Sequence, residues 1–135
     1  MGAVTKQEAM SEHTRLTLKI SGKIFPSTRM NAHGKWTGRA KQYLAWKEFY
    51  AWAIKEAWDK KPLAFPVLVG MNYWGESRRG DWDNLKKAVI DALVYAGVFP
   101  NDGLSYVLGD LPGRFMGADK NPRVEIIIET IGETK

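Results

Sequence analysis

The stretch that organises this chain is Gly80-Asp81-Trp82-Asp83-Asn84-Leu85-Lys86-Lys87-Ala88-Val89-Ile90-Asp91-Ala92-Leu93. Its apolar residues recur at helical spacing and predict an amphipathic helix from about Asp83 to Ala96, with Gly97 as the residue after the C-cap. Two carboxylates lie two residues apart where the preceding extended segment becomes this helix. The stretch therefore combines the clearest helix of the sequence with its densest polar cluster.

The other elements follow from the same period rules. They are strands near Leu16–Ile20, Phe65–Trp74, Ser105–Leu108 and Arg123–Ile131, and a helix over Gly38–Asp59. The segment Gly109–Pro122 is rich in glycine and proline and is predicted to be a mobile surface loop. The order β-α-β-α-(β)-β predicts an α+β fold, a two-layer sandwich in which two main helices pack on one face of a small mixed sheet.

One stripe of the first helix is aromatic and is predicted to be core. It consists of Tyr43, Trp46, Tyr50, Ala53 and Ala57. Phe49 and Trp52 lie off this stripe, and we expect them to contact a partner subunit.

Length and composition exclude several classes of protein. With 135 residues, the chain is expected to form one domain over residues 14–135 after a flexible N-terminal tail, residues 1–13. The absence of cysteine excludes disulfides, zinc ribbons and thiol nucleophiles. No apolar run approaches the roughly 20 residues that span a bilayer. We expect a cytoplasmic protein.

The net charge of +5 is unevenly distributed. Between His13 and Lys47 there are eight Lys or Arg residues and no Asp or Glu. Such a segment suits a polyanion, of which nucleic acid is the commonest; the alternative is a solvated surface that aids solubility. The candidate DNA-binding residues are Arg29, Lys35, Arg39, Lys41, Arg78 and Arg79.

The paired acids allow two interpretations. Aspartate is a favoured N-cap residue and is stabilised by the helix dipole, which accounts for either Asp81 or Asp83. Two acids followed by Asn84 exceed what capping needs. Side chains at positions i and i+2 of an extended segment point the same way, so Asp81 and Asp83 can converge on one Mg²⁺ or Mn²⁺ ion.

Two further charged residues lie on the same helix. Lys87 follows Asp83 by four residues, where its ammonium can stabilise charge on a phosphate or form an ordinary surface pair with Asp83. Asp91 lies one turn later and is assigned a secondary role, either a salt bridge to Lys87 or an inner polar network.

Asp102 is the natural third carboxylate. It follows a helix of about 13 residues, which spans roughly 20 Å. Its return to Asp81 needs a shortened helix, an extended return of the chain, or contribution across a dimer interface. The sequence leaves these routes open.

These residues carry a family resemblance. The pattern Asp81-x-Asp83-Asn84-Leu85-x-Lys87-Ala88-x-x-Asp91-Ala92-Leu93, followed by Ala96-Gly97-Val98 and Asn101-Asp102, resembles the signature of the RusA family of Holliday junction resolvases, the crossover junction endodeoxyribonucleases. The likeness extends over about residues 14–131. The chain departs from the family in having Asn101 where members often have a second acid, and in a long segment at Gly109–Pro122.

The resemblance implies a homodimeric, Mg²⁺-dependent endonuclease of DNA recombination and repair that binds four-way junctions and nicks two symmetric strands. It assigns Asp81, Asp83 and Asp102 as metal-binding and catalytic acids and Lys87 as the catalytic lysine. It also suggests a bacterial protein, or a phage protein in its bacterial host. The alternatives are a non-catalytic protein that binds branched DNA and a related nuclease that prefers flaps or forks.

Overall fold

The computed structural model describes residues 15–26, 38–58, 63, 66–77 and 80–130, so the predicted tail at residues 1–13 lies outside it. The elements in chain order are β1 (Arg15–Ser21), α1 (Gly38–Ala57), β2 (Val67–Gly75), α2 (Trp82–Tyr95), β3 (Val107–Asp110), β4 (Phe115–Ala118) and β5 (Arg123–Thr130). Each predicted helix and strand is present, with its ends shifted by a few residues.

The strands form one mixed sheet. Their order is β1-β5-β2-β3. β4 also pairs with β2, further along that strand than β3 does. The β1–β5 and β5–β2 pairs are antiparallel, whereas β3 and β4 both run parallel to β2. The connection from β2 through α2 to β3 is therefore a crossover that returns the chain to the sheet beside the strand it left.

The core lies between this sheet and the two helices. Alternate residues of β2 (Val67, Val69, Met71 and Tyr73) are buried together with alternate residues of β5. They form one cluster with the apolar faces of α1 and α2. The predicted two-layer α+β fold, with both helices against one face of a mixed sheet, is confirmed.

The prediction of a mobile loop over Gly109–Pro122 is wrong. Its first two residues end β3, and Phe115–Ala118 forms β4. The backbone edge of β2 supplies the pairing groups, since Leu111 N donates to Val69 O at 2.9 Å and Tyr73 N donates to Arg114 O at 3.1 Å. One of the glycines that suggested a loop, Gly113, instead permits close packing, because a Cβ there would collide with the backbone carbonyl of Met71.

The aromatic stripe of α1 is part of the core, as predicted. Trp46 stacks between Tyr43 and Tyr50, with ring centroids 5.9 and 4.7 Å away. Its indole N–H donates to the carbonyl of Lys23 at 2.9 Å, which ties α1 to the end of β1. Phe49 is 73% exposed on the outer side of the helix.

Among the residues described, no helix is long and apolar enough to cross a membrane.

Candidate active site

The N-terminus of α2 is set by a glycine and an aspartate. Gly80 has φ +110°, a backbone conformation that residues with a Cβ rarely adopt. Asp81 is the N-cap, and its Oδ1 accepts a hydrogen bond from Asp83 N at 3.2 Å. Capping therefore accounts for one oxygen of Asp81 and for neither oxygen of Asp83, which lies exposed in the first turn.

A cleft of about 280 Å³ runs along this part of the helix, and we call it the α2 cleft. It is lined by Asp83, Lys86, Lys87, Ile90, Asp102, Val107 and Asp110. Asp83 and Asp102, which sequence reasoning left separated by a whole helix, thus border one cleft within a single chain.

The return of Asp102 has a local explanation. Gly97 ends α2 with φ +86°, and Val98 N donates back to Leu93 O at 3.0 Å. Val98 and Phe99 are then fully buried, which draws the chain back along the helix. Asn101 Oδ1 accepts a hydrogen bond from Gly103 N at 2.8 Å, an Asx turn that presents Asp102 at its centre.

The two adjacent lysines of the α2 cleft have different environments. Lys86 forms an ion pair with Asp110 of β3, and its side chain is only 17% exposed. Lys87 is exposed and, within the described residues, makes no ion pair with Asp83 or any other acid. The surface pair with Asp83, one of the two roles that the sequence left open for Lys87, is thus not formed, and Lys87 lines the cleft.

Asp91 belongs to an inner polar contact. Its Oδ2 accepts a hydrogen bond from the Tyr43 hydroxyl at 2.8 Å, in a partly buried position between the two helices. Lys47 lies beside this contact, with its Nζ 5.6 Å from the Tyr43 ring and 5.5 Å from the Tyr95 ring. Of the two roles predicted for Asp91, the inner network is the one the structure contains.

Two of the six predicted DNA-binding residues, Arg39 and Lys41, lie in the described part of the chain. Arg39 lies 5.6 Å above the ring of Phe25 in a groove of about 540 Å³ that Gly80 and Leu85 also line, so it is near the start of α2. Lys41 is exposed on the first turns of α1. The remaining four, Arg29, Lys35, Arg78 and Arg79, lie outside the described residues.

The acids of the α2 cleft suit an open site for a hard divalent cation, in which protein side chains supply only some of the ligands. Among the residues described, no three His, Asp or Glu side chains stand close enough to hold a metal ion by themselves. Mg²⁺ is usually bound by one or two carboxylates, with water and substrate phosphate oxygens completing its shell. Asp83 and Asp102 match that donor set, and Asp81 as a further ligand remains a prediction.

Sequence reasoning missed Lys86 and Asp110. Lys86 and Lys87 follow Asp83 by three and four residues, so helical spacing brings both lysines near Asp83, but the sequence does not reveal which of them is paired. Asp110 was assigned to a loop. The order β2–α2–β3 could have placed Asp110 near the helix. A strand that follows α2 and pairs in parallel with β2 has its last residue close to α2.

Comparison with known proteins agrees with the motif. No curated protein gives a significant match. The family model described as endodeoxyribonuclease RusA matches residues 22–129, which include both helices and the whole α2 cleft. The chain therefore belongs to the RusA family of endodeoxyribonucleases.

Proposed function

We propose that this chain is a Mg²⁺-dependent endonuclease that resolves Holliday junctions by symmetric nicking, in DNA recombination and repair. The observation that carries the proposal is the α2 cleft, which Asp83, Asp102 and Lys87 line together in a member of an endodeoxyribonuclease family. Mn²⁺ would substitute for Mg²⁺, because both take carboxylate, water and phosphate oxygens.

In this proposal Asp83 and Asp102 hold the cation, with Asp81 contributing the carboxylate oxygen that does not cap the helix. When bound, the ion supplies a water of lowered pKa and neutralises charge on the phosphate. The two acids have separate supports, the first turn of α2 and the Asx turn of Asn101. The local backbone around each acid is thus formed before DNA binds, which lowers the cost of organising the site.

Lys87 is proposed to donate to a non-bridging oxygen of the scissile phosphate, where negative charge develops. Its availability supports this role, since it lies in the α2 cleft and no acid within the described part of the chain neutralises it. Lys86 is less suited, because Asp110 already occupies its ammonium.

The DNA arms are proposed to lie on the six basic residues that the sequence assigns to DNA binding: Arg29, Lys35, Arg39, Lys41, Arg78 and Arg79. Two such surfaces in a homodimer would match the two-fold symmetry of a four-way junction.

The exposed Phe49 and Trp52, at 73% and 65%, support α1 as the dimer face. Sedimentation tests this: Phe49→Asp should convert a dimer to a monomer, and a wild-type monomer would contradict it.

The cutting test uses a synthetic four-way junction with Mg²⁺. The wild type should nick two opposed strands, and EDTA or Asp83→Asn should abolish nicking while leaving junction binding intact. A wild type that shifts the junction in EDTA but never nicks it in Mg²⁺ would instead identify a non-catalytic branched-DNA-binding protein. Faster cutting of flaps or forks would identify the related nuclease.

A further inference from the structure

The ion pair between Lys86 and Asp110 spans the α2 cleft from the helix to the sheet. Lys86 projects from the second turn of α2, and Asp110 is the last residue of β3. The lysine side chain is only 17% exposed, whereas the aspartate is 74% exposed. The buried stem of Lys86 therefore fixes the ammonium against one wall, and Asp110 reaches toward it from the other.

The segment that carries Asp102 is held before it by the fully buried Phe99 and after it by a hydrogen bond from Val67 N to Tyr106 O at 2.8 Å, which joins it to the sheet and not to α2. It leads directly into β3, which has only four residues and pairs with β2 through a register shift between Val67 and Leu68. The Asx turn of Asn101 fixes the local shape of the segment, but it does not set the distance from the segment to the helix. The Lys86–Asp110 pair joins the end of β3 to α2 and restrains that distance.

We propose that Lys86 and Asp110 are positioning residues of the active site, an inference that rests on the proposed nuclease function. Their ion pair holds β3, and with it Asp102, at the separation from Asp83 at which both carboxylates reach one cation. Neither residue contacts the reacting atoms in this scheme. Lys87 contacts the phosphate, and Lys86 acts only through Asp110.

Two magnitudes separate this role from an ordinary surface ion pair. Ion pairs that remain open to water add little to stability. In contrast, a misplacement of about 1 Å at a reacting group can cost on the order of 10²-fold in rate. Breaking the pair should therefore affect metal binding and nicking far more than it affects the melting temperature.

The test compares Lys86→Met and Asp110→Asn with the wild type. Each should weaken Mn²⁺ binding, measured by electron paramagnetic resonance without DNA, by about 10-fold, within the range found when groups that orient metal ligands are removed. The Mg²⁺ concentration for half-maximal nicking should rise in parallel. Junction binding in EDTA and the melting temperature should not change. Asp119→Asn is the matched control, because it breaks the Asp119–Arg123 pair outside the cleft.

Two further variants test the coupling. Lys86→Arg keeps the charge and should retain wild-type Mn²⁺ affinity. The double variant Lys86→Met with Asp110→Asn should be no worse than either single variant, because both remove one interaction. Additive losses, or wild-type Mn²⁺ affinity in both single variants, would overturn the inference.

Failure of the inference and failure of the proposed function give different results. If Asp83→Asn abolishes nicking while Lys86→Met and Asp110→Asn keep the wild-type Mg²⁺ dependence, only the positioning role is wrong. If Asp83→Asn nicks like the wild type, the metal site itself is wrong, and the positioning role falls with it.

Discussion

The hydroxyl of Tyr43 donates a hydrogen bond to Oδ2 of Asp91 over 2.8 Å and so joins α1 to α2. This contact separates two kinds of aspartate on one helix. Asp91 is held by a neighbouring helix, whereas Asp83 lies exposed at the cleft. We therefore propose Asp83 and Asp102, and not Asp91, for the chemistry of the α2 cleft.

Tyr43→Phe should lower the free energy of unfolding by about 1–3 kcal/mol, because it leaves a partly buried carboxylate without its donor. Urea denaturation measures this loss. Tyr95→Phe is the control, since that hydroxyl donates to Glu48 at 3.3 Å in an exposed position and should contribute much less. Junction nicking by Tyr43→Phe should stay at the wild-type rate. An unchanged free energy of unfolding would contradict a stabilising role for the contact.

The Tyr50 hydroxyl predicts a loss of stability in alkali. It is buried and makes no hydrogen bond within the described part of the chain. Burial, reinforced by Tyr73, raises its pKa well above 10.0, the value expected when the chain is unfolded. Above pH 10 the unfolded state releases this proton and the folded state keeps it, so stability falls by about 1.4 kcal/mol per pH unit for this group.

Tyr50→Phe should remove that part of the alkaline slope in denaturation curves recorded between pH 9 and 11.5. At pH 7 it should leave stability unchanged or raise it by up to about 1 kcal/mol, because no hydrogen bond is lost. A substantial loss of stability at pH 7 would mean that the hydroxyl has a partner.

Gly113→Ala should destabilise the protein by about 2–4 kcal/mol, since the new methyl group would force the β3–β4 connection away from Met71. Gly38→Ala is the matched control: a Cβ there meets nothing within 4 Å, and alanine favours the helix. Equal free energies of unfolding for the two variants would show that the connection does not pack against β2 as described.

The sequence predicted what local pattern determines. The apolar period of α2 and the glycine at Gly97 follow from spacing and backbone preference, and the same preference limited the N-cap to Asp81 or Asp83, of which the structure has Asp81. Contacts between residues that are distant in the chain could not be predicted from local sequence pattern. Gly113 was assigned to a loop because the residue that requires a glycine there, Met71 of β2, lies about 40 residues away in the chain. The return of Asp102 likewise depends on the burial of Phe99.

Lys87→Met should reduce junction nicking by about 10²–10³-fold, the range found when one group that stabilises transition-state charge is removed. Its side chain is exposed and forms no ion pair with the described acids, which predicts no change in melting temperature. Lys55→Met, on the last turn of α1, controls for the loss of one positive charge. Single-turnover nicking measures the effect; near-wild-type rates for Lys87→Met would assign the phosphate contact to another residue.

We propose that Asp83 and Asp102 of one chain form the catalytic site. The most direct test of this proposal is single-turnover nicking of a four-way junction in Mg²⁺ by Asp102→Asn, with junction binding measured in EDTA. Asp102→Asn should lose nicking activity on the order of 10²-fold or more, with unchanged junction binding and melting temperature. Nicking by Asp102→Asn at the wild-type rate would contradict it.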